Sequence, residues 1–146
     1  MGGWISLLLG KSRPERVNAL VGVGAAPDFT ENSMWANLDE KNRNDLSVFG
    51  RVEVKSKYSS EPYLVTERLI IDGRRNLVMK DRLEAPYSIR LLQGMRDEDV
   101  HFSTAIKLAE HISSDDVKVT LVKNADHQFS TRACLEILKM TIEEFL

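Results

Sequence analysis

An aspartate and a histidine 30 residues apart, Asp97 and His127, are the residues of this sequence best placed to move a proton. Asp97 lies in Gly94-Met95-Arg96-Asp97-Glu98-Asp99-Val100, and His127 in Asn124-Ala125-Asp126-His127-Gln128-Phe129-Ser130. Each loop follows an apolar stretch of strand length. In open α/β sheets functional groups gather where the chain leaves the carboxyl ends of strands, so an acid after one strand and a histidine after the next can meet. The carboxylate then fixes the imidazole tautomer and stabilises the imidazolium that forms when the histidine takes a proton from a nucleophile. Glu98 and Asp99 read as solvent-facing neighbours that would stand in for Asp97 only if the loop register slipped. Asp126 reads as a turn former.

The other chemistry-bearing side chains have plainer readings. His111 falls near the end of a helix, where a cation suits the dipole. His101 reads as a helix-start residue beside the candidate cap Ser103, although it could border the active site. Ser130 and Thr131 read as caps of the last helix, which makes Ser130 a poor nucleophile. The single Cys134 has no Cys or His at metal-ligand spacing, so neither a zinc site nor an internal disulfide is supported, and it reads as a buried inert thiol.

Several elements must position Asp97 and His127. Ile5, Leu8 and Leu9 recur at helical spacing and predict a short first helix that closes before Pro14. Arg16 to Gly24 (RVNALVGVG) is a nearly continuous apolar run, read as a strand buried on both faces of a parallel sheet. Ser88–Gln93 and Val117–Lys123 are two more strands. Between them Ala105, Leu108, Ala109 and Ile112 share one face of a helix over Ser103–Ile112, completing a βαβ unit. Leu135, Leu138, Ile142 and Phe145 predict a terminal helix over Thr131–Leu146 lying on the sheet. The middle, residues 27–86, is long and charged and reads as an insertion of mostly helices with an extended stretch near Val52–Ser56. Its aromatics, Trp35, Phe49, Tyr58 and Tyr63, point to a lid; Trp35, Tyr58 and Tyr63 either line an acyl pocket or only pack the lid.

At 146 residues, with 42% apolar and 29% charged residues and a net charge of −2, the chain has the composition of one soluble globular domain. No polybasic tract argues for nucleic acid. The apolar stretch Trp4–Leu9 is too short to span a bilayer and lacks a basic leading region.

LLQGMRDEDV resembles the α/β-hydrolase segment in which a strand ends in L-x-G-x-x-D-x-x-V and supplies the triad acid. KNADHQFS resembles the segment that supplies the triad histidine, and both occur in the family's order of nucleophile, Asp, His. The opening MGGW is similar to the part of a family motif, S-M-G-G-W, that follows the nucleophile. Within the family the likeness is nearest to the abhydrolase-domain 10 type, serine esterases and acyl-protein thioesterases, and to its bacterial relatives. It rests on GGW, RPERVNALVGVGAA, SKYSSEP, IRLLQGM-D and DH. One departure is His101, where many relatives carry proline.

The resemblance implies an α/β fold, the C-terminal part of an α/β-hydrolase with about three parallel strands, flanking helices and a mostly helical lid. Residues 1–26 would be the post-elbow helix and strand, 27–86 the lid, and 87–146 the part carrying the triad acid Asp97 and histidine His127. Met1 would follow the nucleophile and supply a backbone oxyanion donor, Gly2 would be the last glycine of the elbow G-x-S-x-G, and the serine would precede Met1. A small acyl ester or thioester is the implied substrate, with neither cofactor nor metal, in the cytoplasm or mitochondrial matrix. The expectation for the chain alone is negligible hydrolysis, because loss of the nucleophile costs on the order of 10⁶ in rate in a serine protease. The alternative is a non-catalytic fragment that acts by pairing with another chain. Without an elbow strand beside it, ALVGV would be an apolar edge open to self-association.

Overall fold

The computed structural model describes residues 1–56 and 60–146; the expectation for Tyr58, and part of SKYSSEP, fall outside the described residues. In chain order the elements are α1 (Gly2–Ser12), a 3₁₀ turn (Pro14–Arg16), β1 (Ala19–Val23), a π-helical turn (Thr30–Trp35), α2 (Glu40–Phe49), β2 (Arg51–Val54) and β3 (Tyr63–Thr66). There follow α3 (Glu67–Arg75), β4 (Ser88–Gly94), α4 (Ser103–His111), β5 (Val117–Val122) and α5 (Arg132–Glu143). They form two compact units, one of Met1–Pro27 with Val78–Leu146 and one of Asp28–Leu77.

The first unit is built on a parallel sheet in the order β1-β4-β5. Leu20 pairs with Ile89 and Leu91 with Val119, so the two loops after β4 and β5 leave the same end of the sheet. β4 is the middle strand and is buried over Ile89–Gly94, as a strand covered on both faces requires. Its one charged residue is neutralised where it sits: the buried Arg90 guanidinium donates to Asp116 at 2.9 Å and to Glu144 at 2.8 Å, and lies 5.1 Å from the Phe145 ring. These contacts fasten the end of α5 and the start of β5 to the sheet. No helix among the described residues is long and apolar enough to cross a membrane.

The helix faces differ from the sequence expectation. In α1 the buried residues are Trp4, Leu7 and Gly10, while Ile5 and Leu9 are exposed. The small residues decide this face. A Cβ on Gly3 would come within 2.9 Å of the Ala25 Cβ, and one on Gly10 would overlap the Tyr87 hydroxyl, so the helix lies close to its neighbours only on the glycine side. In α5 Cys134 is buried as expected, but Thr141 is buried with it, and Leu135 and Ile142 are exposed. Thr141 can turn inward because its hydroxyl donates to the Ile137 carbonyl at 2.8 Å.

Strand and cap positions also shift. The expected strand over Arg16–Gly24 begins only at Ala19, since Pro14 opens a 3₁₀ turn, a position its fixed φ favours. Thr131 caps α5 by accepting the Cys134 amide at 3.3 Å. Ser103 does not cap α4: it is the first helical residue, and the His101 ring accepts its amide at 3.3 Å.

The second unit holds an antiparallel β2-β3 hairpin between α2 and α3 around Leu38, Leu46, Val52, Val65 and Ile70. Only the first of these strands matches the expected extended stretch. The second, YLVT, is too short to show a period and is fixed by pairing with β2. Asp39 and Thr66 cap α2 and α3 through the amides of Asn42 and Leu69, at 2.7 and 3.2 Å. Trp35 carries the Arg43 and Arg74 guanidinium groups over its ring at 5.1 and 4.6 Å, and Arg74 also pairs with Glu31.

Candidate active site

The site is assembled where β4 and β5 end. Gly94 closes β4, and a Cβ there would overlap the Ala125 carbonyl, so the two strand-end loops touch backbone to backbone. The Met95 amide donates to Val122 and the Arg96 amide to Ala125, both at 2.9 Å. This zips the acid-bearing loop onto the histidine-bearing one. Asp126 accepts the amides of Gln128 and Phe129 at 3.1 and 3.2 Å and so shapes the turn that carries His127. Phe129 holds a left-handed backbone, φ 51°, and its ring is buried with Leu92, Ala125 and Cys134. Core burial offsets the strain of a bulky residue in that conformation.

Asp97 and His127 meet at 2.9 Å, Oδ2 to Nδ1, with the Asp97 side chain 1% exposed and the His127 side chain 41% exposed. The other Asp97 oxygen, Oδ1, accepts the amides of Asp99 at 2.9 Å and Val100 at 2.8 Å. Oδ2 also accepts the Gln93 amide nitrogen at 2.8 Å. A carboxylate can only accept, so the proton of the neutral imidazole sits on Nδ1 and the Nε2 lone pair stays available. Among the described residues the hydrogen bond to Asp97 is the one His127 makes. Gly24, at φ +54°, backs the pair: a Cβ on it would lie 3.2 Å from His127 Nδ1 and 3.5 Å from Asp97 Oδ2.

Burial by itself would raise the Asp97 carboxyl, but the donors from Val100, His127, Asp99 and Gln93 together outweigh it and hold the group below the ordinary aspartate range. With the folded value below the unfolded one, the stabilisation is present above the unfolded value and is lost as pH falls through the folded one. Urea unfolding of the chain and of Asp97→Asn should therefore converge in stability below about pH 4. A gap that stays constant to about pH 2.5 would contradict the hydrogen-bond account.

Ligand atoms of Asp97, Asp99 and His127 fall within 4.8 Å of one another, as a cation site would need. Both Asp97 oxygens, however, already accept two N–H donors each, so a cation would have to displace them.

No protein-family model matches the chain. It is 32% identical to the human palmitoyl-protein thioesterase ABHD10, mitochondrial, over 147 aligned residues that take in all of this chain and 48% of that protein. A crystal structure of a putative hydrolase from Agrobacterium vitis superposes with a TM-score of 0.93 at 36% identity, covering 99% of this chain and 58% of the other. The chain carries part of an α/β-hydrolase fold and is related to these proteins. Mouse alpha/beta hydrolase domain-containing protein 10 superposes with a TM-score of 0.85 at 28% identity, over 97% of this chain and 57% of that one. The chain spans about half the length of the curated relatives it matches.

The remaining candidates have these places in the α/β-hydrolase unit. Met1 is exposed, and its carbonyl accepts the Trp4 and Ile5 amides at the start of α1. Gly2 has nothing within 4 Å of an added Cβ among the described residues, whereas Gly3 packs on Ala25, the neighbour of Gly24. The start of α1 thus lies at the carboxyl end of β1, where Gly24 meets His127. Glu98 is exposed on the acid loop. His101 is exposed with Nδ1 2.8 Å from the Ser103 hydroxyl, His111 donates from Nε2 to the Val78 and Asp81 carbonyls, and Cys134 is buried and free.

Sequence reasoning did not single out Gln93, Gly24 or Phe129. For Gln93 a signal existed: it is a lone amide at the end of an apolar strand, one residue before the acid loop. Nothing in the pattern marks Phe129, because its conformation is imposed by the core.

Proposed function

We propose that this chain supplies the acid and base of a serine esterase or thioesterase, with Asp97 as the acid and His127 as the base. The observation that carries this reading is the 2.9 Å bond from His127 Nδ1 to the buried Asp97 oxygen, in a His127 side chain that is itself 41% exposed. In the proposed reaction a serine oxygen attacks the acyl carbonyl while Nε2 takes its proton, and Asp97 stabilises the imidazolium. The tetrahedral oxyanion is met by backbone N–H groups, one of them that of Met1. The intermediate collapses by breaking the bond to the alcohol or thiol, which departs with the proton from the imidazolium, and water then clears the acyl-enzyme with His127 acting as base a second time. The serine is assigned to an elbow ahead of Met1, with Gly2 as its last glycine, so the 146-residue chain alone is expected to be inactive.

The name of the mammalian relatives favours a long-chain acyl thioester as substrate, and of the two implied compartments it favours the mitochondrial one. Residues 27–86 keep the proposed role of a lid, and within them Asp28–Leu77 form a compact unit of their own. The test is labelling with a fluorophosphonate probe. The isolated chain should not label, while a chain extended upstream through G-x-S should label and should hydrolyse p-nitrophenyl esters. Labelling of the isolated chain overturns the assignment of the serine, and a silent extended chain overturns the hydrolase reading.

The second reading, a non-catalytic chain that pairs with another, is favoured by one feature. β1 is an edge of the sheet among the described residues, and a groove of about 490 Å³ lined by Leu9, Leu20, Ile142 and Phe145 runs beside it.

A further inference from the structure

Gln93 is fully buried at the end of β4. Its Nε2 faces three oxygens: Asp97 Oδ2 at 2.8 Å, the Val100 carbonyl at 3.0 Å and the Gly94 carbonyl at 3.2 Å. All three can only accept, so this end of the amide must be the NH₂, and the orientation follows from chemistry. The opposite atom, Oε1, has no partner among the described residues. A buried amide that leaves its own oxygen unsatisfied in order to place both protons on one side is costly to fold around, by roughly 1–3 kcal/mol for such a group. A leucine or methionine would fill the same space without that cost.

We propose that Gln93 is a positioning residue: its amide holds the Asp97 carboxylate in the rotamer that presents Oδ2 to His127 Nδ1. The carboxylate is gripped from two directions. The Asp99 and Val100 amides fix Oδ1 from within its own loop, which alone leaves the plane of the carboxylate free to tilt about that anchor. Gln93 supplies the second anchor, from the strand, and its bond to the Val100 carbonyl ties the same loop to β4. His127, mostly held by its turn, then finds an acceptor at a fixed place. Asp99 and His127 are the other titratable groups at the carboxylate. The proposal rests on the reading of Asp97 and His127 as acid and base, but its geometry is testable without turnover.

The experiment is nitrogen-15 NMR of the His127 ring, with carbon-13 titration of the Asp97 carboxyl, in the 146-residue chain and in Gln93→Met. Methionine keeps the shape and removes the donors. At about pH 8, where an imidazole is neutral, the ratio of Nδ1–H to Nε2–H forms should fall about tenfold in the variant, the size of one lost hydrogen bond to a charged group. The Asp97 midpoint should rise by about one pH unit. A folded Gln93→Met chain with both readouts unchanged means that Gln93 only fills space, and overturns the proposal. If Gln93→Met does not fold, Gln93→Glu serves: the pair of carboxyls should titrate in two steps more than about one pH unit apart. A single ordinary carboxylate step in Gln93→Glu also overturns it. Loss of ester hydrolysis in an extended chain is a separate readout, so the catalytic reading can fail while the tautomer result stands.

Discussion

Asp97→Asn, made in a protein that joins this chain to an upstream G-x-S elbow, should lower ester or thioester hydrolysis by about 10⁴-fold, mainly in kcat. The reason lies in how the carboxylate is held. The side facing the Asp99 and Val100 amides must remain an oxygen, so an asparagine there turns its NH₂ toward His127 Nδ1 and Gln93 Nε2. Three groups of donors then meet without an acceptor. The imidazole escapes by moving its proton to Nε2, the atom that must accept the proton of the nucleophile, and the base is lost while the fold is kept. His127→Ala should cost at least as much, because it removes the base itself. Steady-state kinetics on p-nitrophenyl esters of graded length measures both, and a loss below about tenfold for Asp97→Asn would rule out Asp97 as the acid.

Gly94→Ala should be the most damaging single methyl group in the sheet unit. The added carbon would overlap the Ala125 carbonyl oxygen and lie 2.7 Å from the Ala125 carbon and the Asp126 oxygen. These are backbone atoms, so no rotamer change can relieve the contact. The loops must part, at the expense of the Met95 and Arg96 amide bonds that zip them together. A cost of about 3 kcal/mol is expected, which lowers Tm by roughly 6–12 °C for a chain of this size. Gly2→Ala is the matched control: nothing lies within 4 Å of its added carbon, and alanine is the better helix residue, so Tm should hold or rise slightly. Thermal unfolding of the three chains decides the matter. A Gly94→Ala chain as stable as the parent would mean that the two loops are not pressed together as described.

Asp97, His127 and the three parallel strands were legible because their signals are local. A continuous apolar run, a short polar loop and an acid or histidine can each be read within about ten residues. The elements that failed to read are those decided at a distance. α1 shows its leucines at helical spacing, yet it turns Gly3 and Gly10 inward because Ala25 and Tyr87 approach there. α5 buries Thr141 beside the expected Cys134 and leaves Leu135 and Ile142 exposed. YLVT becomes a strand only because β2 offers it a partner.

The site divides in the same way. By itself the sequence determined which residue types stand after which strands, and therefore that an aspartate and a histidine could share a proton, since strand period and loop position are properties of a short stretch of chain. Only the tertiary structure decided which oxygen of Asp97 faces His127, and that Gln93 and Gly24 bound the pair. It also set Phe129 in a left-handed backbone. Those outcomes depend on the register of β4 against β5 and of β1 against β4, where residues far apart in sequence come within 3 to 4 Å and hydrogen-bond direction selects one rotamer over another.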